Sequence, residues 1–506
     1  MLDMLITDAR VLTLDHTHQH LDRADVAIHE GKIVHVGIRP QGQPAPEAAR
    51  VIDGHNRLVM PGLINAHFHS PGNLMKGFVP NLPLELFMLY EVPPLLDETT
   101  SERLAYVRTA IGIIEMLKSG VTSVHDDAFF IPVVTQAEVR GIMTAYGDSG
   151  MRATVALDQP NVVEYEKYPF LRELLPERII RTMDQAPRMS DEALVKCYIN
   201  FINDWHGSHS DRLRTSVSCS APQRVTSSYL KTLGKIASQY DLPFNMHILE
   251  TRLQRVLGDM KFGQSLVRYA HEQGVLIEQA QVIHAVWIND EDIQLLAASG
   301  CTVAHNPIAN LKLGSGVMPF RRIRDAGINI CLGSDEATVS DGVNMWIVAR
   351  MAGLIHNISD PEYQNWPSAR EVLTALTHGG AQAMRQQDRI GSITPGYQAD
   401  LIILDMDSLA FSPLNDLERQ LVYCETGSSI VMTIVDGRIV YENGRVLYLD
   451  EQAIMTEARS HIEEYRRFKG ATEEGVMQLE SLYRQMYLNS LEESVGIDRW
   501  VGRKPQ

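Results

Sequence analysis

Between about residue 60 and residue 390, short apolar segments alternate with stretches of helical periodicity. Eight of these segments have the length and the β-branched content of buried strands. They are residues 63–67, 121–124, 152–156, 215–218, 243–247, 281–284, 301–304 and 328–332. Such an alternation predicts a (β/α)8 barrel with loop insertions. A doubly wound open sheet is the alternative, but the chain has no GxGxxG turn to support it.

Both ends of the chain are rich in β-forming residues instead. Residues 3–57 contain several short strand patterns, including a hairpin around Gly31, and strand patterns return over residues 400–405 and 430–440. The Asp436-Gly437 step predicts another hairpin. We therefore expect three parts, namely a β-sandwich domain composed of residues 1–58 and 395–450, a barrel over residues 59–394, and a helical extension over residues 451–506.

The composition excludes several classes of protein. Lys and Arg number 46 against 63 Asp and Glu, which gives a net charge of −17 and argues against a nucleic-acid or anionic-membrane partner. The five cysteines are scattered and never form a CxxC pair, so neither a disulfide framework nor a cysteine zinc site is expected. No apolar segment approaches the roughly 20 residues of a membrane helix. We expect a soluble, cytoplasmic protein.

Polar side chains lie at the ends of four predicted strands. His67 and His69 end the first at positions i and i+2, which point to the same side of a strand. His247 ends the fifth, His284 ends the sixth, and Asp335 follows the eighth. In a barrel, these positions share the face on which active sites are built. Imidazole and carboxylate ligands suit one divalent ion, with Zn²⁺ as the first choice and Fe²⁺ as the alternative.

The sequence around these positions resembles a known superfamily. The matching segments are residues 61–69 (PGLINAHFH), the His247-x-x-Glu250 element, and residues 284–286, 304–316, 332–335 and 391–401. They are similar to the amidohydrolase superfamily, in the branch of cytosine-, guanine- and adenosine-type deaminases and triazine hydrolases, or chlorohydrolases. The resemblance extends to about residue 450. It implies a mononuclear metal hydrolase whose barrel is flanked by a composite β-sandwich.

The resemblance also implies a role for each matching residue. It makes four residues the metal ligands, namely His67, His69, His247 and Asp335. Glu250 becomes a proton shuttle, and His284 polarises the attacking water or the developing oxyanion. Asp335 can in addition accept the proton of the water. Because a bound divalent ion lowers the pKa of its water toward ~7, hydroxide is available near neutral pH to add to an electrophilic C=N carbon.

We therefore predict a hydrolytic deaminase of an amino-substituted N-heterocycle of purine, pterin, pyrimidine or triazine type. Displacement of chloride or an amine from a triazine, or opening of a cyclic amide of imidazolone type, are the alternatives. A non-catalytic member of the family would lack a ligand, and none is missing. The nucleobase deaminases of the α/β sandwich type need a PCxxC element, which this chain lacks. The oligomeric states that are usual in this branch, together with the helical tail, favour a homodimer or a higher homo-oligomer.

The chain also departs from its branch. Residues 218–224 contain no Lys that could bridge two metals, which favours a single ion. Nucleoside deaminases of the branch carry a His in this segment, where Ser220 is the best match, and a Trp where Phe87 stands. Both departures argue against an adenosine-like substrate. Glu336 replaces a commonly small residue after Asp335, which favours a substrate with donor or cationic groups, such as an amino-triazine, a guanidine or a pterin.

Further substrate contacts are predicted from position alone. Gln223 and Arg224 follow the fourth strand and could bind substrate carbonyls, and His305 follows the seventh. Residues 125–127 (HDD) are predicted to end the second strand and could also contact substrate. The apolar loop after the first strand, with Met75 and Met88 among its side chains, could form a wall over a flat ring.

Overall fold

The computed structural model describes residues 1–92, 100–461, 467 and 475–501. These residues contain eighteen strands. In chain order they are β1 (Leu2–Leu12), β2 (His20–His29), β3 (Lys32–Ile38), β4 (Ala48–Asp53), β5 (Arg57–Pro61), β6 (Leu63–Phe68), β7 (Val121–Phe129), β8 (Arg152–Asp158), β9 (Leu213–Thr215), β10 (Val217–Ser218), β11 (Phe244–Ile248), β12 (Ala280–His284), β13 (Thr302–His305), β14 (Asn329–Leu332), β15 (Leu401–Asp405), β16 (Ile430–Val435), β17 (Arg438–Glu442) and β18 (Arg445–Val446).

The helices fill the connections between these strands. They are α1 (Leu84–Glu91), α2 (Glu102–Lys118), α3 (Gln136–Ser149), α4 (Leu171–Leu174), α5 (Glu177–Gln185), α6 (Asp191–Trp205), α7 (Ser208–Asp211), α8 (Ser227–Tyr240), α9 (Arg252–Phe262), α10 (Leu266–Glu272), α11 (Asp290–Ser299), α12 (Pro307–Lys312), α13 (Phe320–Asp325), α14 (Ala337–Ser340), α15 (Met345–Leu354), α16 (Ala369–Leu376), α17 (His378–Ala383), α18 (Leu417–Tyr423), α19 (Glu451–Ser460) and the C-terminal helix Glu480–Glu492. Within the described residues, no helix combines the length and the apolar character that crossing a bilayer requires.

Two parallel sheets form the centre of the molecule. One has the order β6-β7-β8-β9 and the other the order β10-β11-β12-β13-β14. Ser216 separates β9 from β10, and its N–H donates to the Val155 carbonyl oxygen at 2.8 Å. At the other junction, the Asp335 N–H donates to the His67 carbonyl oxygen at 3.0 Å, beside a parallel bridge between Phe68 and Asp335. The eight predicted strand regions are therefore all parallel strands, arranged in two sheets that approach each other at both junctions.

Some predicted boundaries are wrong. The second strand does not end at the HDD segment, because the pairing of β7 with β8 continues to Phe129 opposite Asp158. Residues 125–127 consequently lie inside a strand. This pairing across strands overrides the polar local pattern. The segment after β6 was predicted to be a loop, but it contains a 3₁₀ helix, Ser70–Met75, and α1.

Strands from both ends of the chain form one mixed sheet. Its order is β18-β17-β16-β15-β5-β1-β2-β3, with β4 paired to β1. The join between the two ends is the antiparallel pair of β5 and β15, in register from Pro61 opposite Leu401 to Arg57 opposite Asp405. A buried ion pair ties this sheet to the parallel strands, because Arg152 Nε in β8 donates to Asp400 Oδ2 at 2.6 Å.

Helices pack around the parallel strands and enclose the main core. The longest of them is α2, whose N-cap Ser101 accepts a hydrogen bond from the Leu104 N–H. In the tail, α19 packs on α2, whereas the C-terminal helix packs on α1, α4 and α9. The rest of the helical prediction for the tail, at residues 462–466, 468–474 and 502–506, lies outside the described residues.

Candidate active site

Five side chains from distant parts of the chain meet where the parallel strands end. They are His67 of β6, His69 directly after β6, His247 of β11, His284 of β12 and Asp335 after β14. Asp335 Oδ1 lies 3.7 Å from His67 Nε2 and 3.5 Å from His69 Nε2. The candidate ligand atoms of His67, His69 and Asp335 lie within 4.8 Å of one another, as do those of His67, His247 and His284. These spacings leave room for one ion between the groups.

Hydrogen bonds on the far side of the rings fix their orientation. Nδ1 of His69 donates to the Asp127 carbonyl oxygen, and Nδ1 of His247 donates to the Ser220 carbonyl oxygen at 2.7 Å. Since a carbonyl oxygen only accepts, each ring carries its proton on Nδ1 and leaves the Nε2 lone pair free. Both ring nitrogens of buried His67 lack a hydrogen-bond partner. A metal ion would satisfy such a nitrogen, so the residues fit a divalent ion.

Burial sets the protonation of these groups. It lowers the pKa of His69 to about 4 and, together with the neighbouring imidazoles, holds the pKa of His67 well below its usual range. Both rings are therefore neutral at pH 7, which is the form that binds a metal. Burial, with repulsion from Glu91, also raises the pKa of Asp335 to about 7.

The backbone is strained at several residues of the site. Ser220, Leu249, His284 and Asp335 have φ angles of 60°, 52°, 73° and 59°, in the left-handed region that side chains rarely adopt. Each such residue costs roughly 1–3 kcal/mol, which the surrounding structure must offset. These residues lie where β10, β11, β12 and β14 give way to loops. The sharp turns direct the site side chains, and nothing in the residue types indicates them.

Glu250 and His284 form a second layer of acid and base groups. Glu250 Oε2 lies 3.5 Å from His284 Nε2, which is 3.7 Å from Asp335 Oδ2. His284 Nδ1 donates to Asn310 Oδ1 at 2.9 Å, so its Nε2 is the acceptor facing Glu250. Burial, with repulsion from Asp335 and Glu85, raises the pKa of Glu250 well above its usual range. The Glu250 carboxyl is therefore suited to hold a proton and donate it.

A cavity of about 50 Å³ opens beside this cluster. Of the predicted substrate-binding residues, Phe87, Arg224 and Glu336 line it. A second chamber of about 80 Å³ shares Arg224 and Glu336 with the first, so the two are neighbouring parts of one pocket. Arg224 Nη1 donates to Ser220 Oγ at 3.3 Å, which holds the guanidinium at the junction of the two chambers.

Two other predicted residues lie elsewhere. His305 is buried outside the residues that line the two chambers, and its Nε2 is 3.1 Å from His356 Nε2. Gln223 is also buried, and it lines neither chamber.

The HDD segment is largely internal. His125 is held between Gln281 Oε1 and Ser216 Oγ, each at 2.9 Å. Asp126 accepts hydrogen bonds from the Ser70 N–H and the Tyr146 hydroxyl.

The sequence reasoning missed Glu91, which lines both chambers. Phe87 and Glu91 are four residues apart on α1, a spacing that places them on the same face of a helix. The sequence pattern did not predict α1, so it could not indicate this shared face. Asp158, at the end of β8, is a second missed residue, and it lines the second chamber.

The fold and the site define a metal-dependent hydrolase built on parallel β-strands. The sequence profile of the amidohydrolase family matches residues 58–440. The chain belongs to that family, and it is a hydrolase that acts on carbon–nitrogen bonds.

Curated relatives are similar to this chain along most of their length. The 5'-deoxyadenosine deaminase of Methanosarcina mazei is 30% identical, over 92% of this chain and 98% of the relative. The 5-methylthioadenosine/S-adenosylhomocysteine deaminase of Thermococcus kodakarensis is 32% identical, over 83% of this chain and 89% of the relative.

Solved structures share the fold. An adenosine deaminase from Xanthomonas campestris with bound zinc has a TM-score of 0.81 at 25% identity, covering 92% of this chain and 99% of its own. The atrazine chlorohydrolase TrzN from Arthrobacter aurescens, complexed with zinc, has a TM-score of 0.81 at 24% identity, covering 90% and 99%. The second likeness concerns the fold alone.

Proposed function

We propose that this protein is a hydrolytic deaminase of an amino-substituted N-heterocycle, with one divalent ion held by His67, His69, His247 and Asp335. The observation that carries the proposal is the convergence of these four side chains beside a protonatable Glu250. Zn²⁺ is the ion we favour, because imidazole and carboxylate ligands suit it and the structurally similar adenosine deaminase contains it. Fe²⁺ is the alternative.

Each polar group has a distinct task in this proposal. An ion bound by the four residues supplies a water that is acidic enough to react near neutral pH. Asp335 would accept the proton released from that water and hold it for the leaving group. Glu250 donates the proton of its carboxyl to a ring nitrogen of the substrate, which makes the amino-bearing carbon more electrophilic. His284 Nε2, between Glu250 and Asp335, receives and returns protons as the amine leaves as ammonia.

We propose a purine-type ring as the substrate. The relatives deaminate adenosine derivatives, and their similarity covers most of each chain. Phe87 and Leu84 give the pocket an apolar wall suited to a flat ring. Ser220 and Phe87 stand where nucleoside deaminases of the branch carry His and Trp, so contacts to a ribose must differ from theirs. The triazine alternative has support only from the fold.

We also propose the finer architecture and setting. Residues 59–394 form a closed (β/α)8 barrel, supported by the hydrogen bond between the Asp335 N–H and the His67 carbonyl oxygen. Residues 1–58 and 395–450 form a small β-sandwich, and the described residues between 451 and 501 a helical extension. We expect a cytoplasmic homodimer or higher homo-oligomer without nucleic-acid or membrane partners. The free cysteines of the described structure are consistent with a reducing compartment.

The test is an ammonia-release screen of the zinc-reconstituted protein over purines, pterins, pyrimidines, triazines and guanidines. Glu250→Gln should lower kcat by about 10²-fold or more while the metal content stays unchanged, because the proton donor is lost and the ligands remain. His247→Ala should lose both the metal and the activity. Glu272→Gln, at an exposed position, is the matched control. Full activity in His247→Ala or after chelation contradicts the proposal.

A further inference from the structure

Two carboxyl groups face each other on the wall shared by the two chambers. Glu91 of α1 and Glu336 after β14 line both chambers, and their side chains are in contact. Each is only 4% exposed. Thr338 Oγ1 donates to Glu91 Oε1 at 2.7 Å, whereas buried Glu336 Oε2 accepts no hydrogen bond. A buried carboxyl oxygen without a donor is unfavourable, so an N–H donor of a group bound in the pocket would be stabilised by pairing with it.

The loop after β6 leaves space for this carboxyl group. A Cβ atom at Gly72 would lie 2.8 Å from Glu336 Oε2 and 3.0 Å from Thr338 Oγ1. Any larger residue at position 72 would press on the free oxygen of Glu336. The carboxyl is thus accommodated by a small residue from a different part of the chain.

The charges in the first chamber favour the same kind of ligand. Glu91, Glu250, Asp335 and Glu336 contribute four carboxyl groups, and Arg224 is the one Lys or Arg side chain among the described residues that line it. Two adjacent carboxyl groups present several acceptor oxygens on one wall. A planar group with two N–H donors side by side pairs with such oxygens in a forked geometry, as guanidinium and amidinium groups do.

We propose that Glu91 and Glu336 bind an amino-substituted edge of the substrate ring, in which an exocyclic amino group stands next to a ring nitrogen. This inference rests on the proposed function, and it narrows the substrate class to heterocycles with a second amino group besides the one that is hydrolysed. A 2,6-diaminopurine ring is the purine example. A ring with only C–H at that edge leaves the carboxylate oxygens unpaired, which lowers its affinity.

The test compares two probes that differ only in this amino group, namely 2,6-diaminopurine and adenine, with the corresponding ribonucleosides as a second pair. Binding to the zinc-loaded protein is measured by calorimetry, and kcat/KM by ammonia release. The wild-type protein should favour the 2-amino member of a pair by about tenfold or more. Glu336→Gln and Glu91→Gln should each reduce that ratio by about tenfold, while Glu272→Gln leaves it unchanged. Gly72→Ala should reduce it as well.

The outcomes separate this inference from the proposed function. A wild-type ratio near one, a ratio that both Gln variants preserve, or no binding of either 2-amino probe overturns the inference. Ammonia release from other heterocycles would then still support the deaminase. Absence of ammonia release from every probe by protein with a full complement of zinc overturns the proposed function instead. The zinc content of each variant shows that the ligands next to Glu336 are intact.

Discussion

At the scale of single residues, two buried histidines on neighbouring strands have different roles. His67 has both ring nitrogens buried without a partner, whereas His125 in the neighbouring strand has both paired, with Gln281 and Ser216. The nitrogens of His67 are therefore available to bind a metal, whereas those of His125 are already used in hydrogen bonds within the fold. The sequence shows two histidines near strand ends and cannot tell them apart, because the difference lies in partners that are remote along the chain.

His125 should make the fold sensitive to acid. Burial lowers the pKa of its ring to about 4, against roughly 6.5 in an unfolded chain. As the pH falls from 6.5 to 4, the ring binds a proton in the unfolded state but stays neutral in the folded state. The stability that is present above pH 6.5 is therefore lost. Replacing His125 by Gln removes this effect. We expect the loss of unfolding free energy between pH 7 and pH 5 to shrink by about 2 kcal/mol.

Urea unfolding at the two pH values measures this difference. The other ionisable groups are common to both proteins, so the difference between them reports mainly on residue 125. His271→Gln, at an exposed position, is the control and should leave the loss unchanged. An identical pH dependence in His125→Gln and the wild type would show that the ring is protonated in the folded protein.

At the scale of elements, the site depends on how closely the end of β14 approaches β6. Gly333 follows β14, and a Cβ atom there would lie 2.4 Å from Asn306 Oδ1 and 2.6 Å from His67 Cβ. Only a residue without a side chain permits this approach. The glycine therefore contributes to the position of a proposed metal ligand without contacting the metal.

Gly333→Ala should consequently displace His67. We expect the zinc affinity to fall about 10- to 100-fold, as for other changes next to metal ligands, with the secondary structure retained. Competition with a chelator measures the affinity, and circular dichroism monitors the fold. Gly475→Ala, where a Cβ atom meets nothing within 4 Å, is the control. Unaltered zinc affinity in Gly333→Ala would mean that the ends of β6 and β14 can move apart without displacing the His67 ring.

The elements also show how far sequence reasoning reaches. The eight parallel strand regions were predictable because each is a short apolar segment. The five site residues do lie at or just after the ends of these strands, namely His67, His69, His247, His284 and Asp335. The extension of β7 to Phe129 and the break at Ser216 were not, because they depend on pairing with neighbouring strands. The helix α1 was not predicted either, so Glu91 escaped notice. The left-handed backbone at His284 likewise results from packing and not from residue type.

At the scale of the whole molecule, one buried ion pair links the two kinds of sheet. Arg152 is 0% exposed and donates to both carboxylate oxygens of Asp400, with Asp436 Oδ1 3.6 Å away. An interior charge of this kind is stabilising only while its partner is present. The pair therefore makes the stability of the parallel strands dependent on the mixed sheet.

Asp400→Asn should lower the free energy of unfolding by about 3–5 kcal/mol, because it leaves the Arg152 charge poorly compensated. The double variant Arg152→Met/Asp400→Leu should recover at least half of that loss, since it buries no charge. Thermal and urea unfolding measure both. The exposed pair of Arg103 and Glu457 supplies the control, and Glu457→Gln should cost less than about 1 kcal/mol. A double variant as unstable as the single one would contradict this account.

The pairing of β5 with β15 has a consequence for synthesis on the ribosome. The first five strands emerge early, whereas β15 lies in the last quarter of the chain. Until translation is nearly complete, the β5 side of the N-terminal strands remains an open edge, exposed to other nascent chains. We expect the growing polypeptide to depend on chaperones over most of its elongation, and a circular permutant that begins near residue 395 to escape much of that dependence.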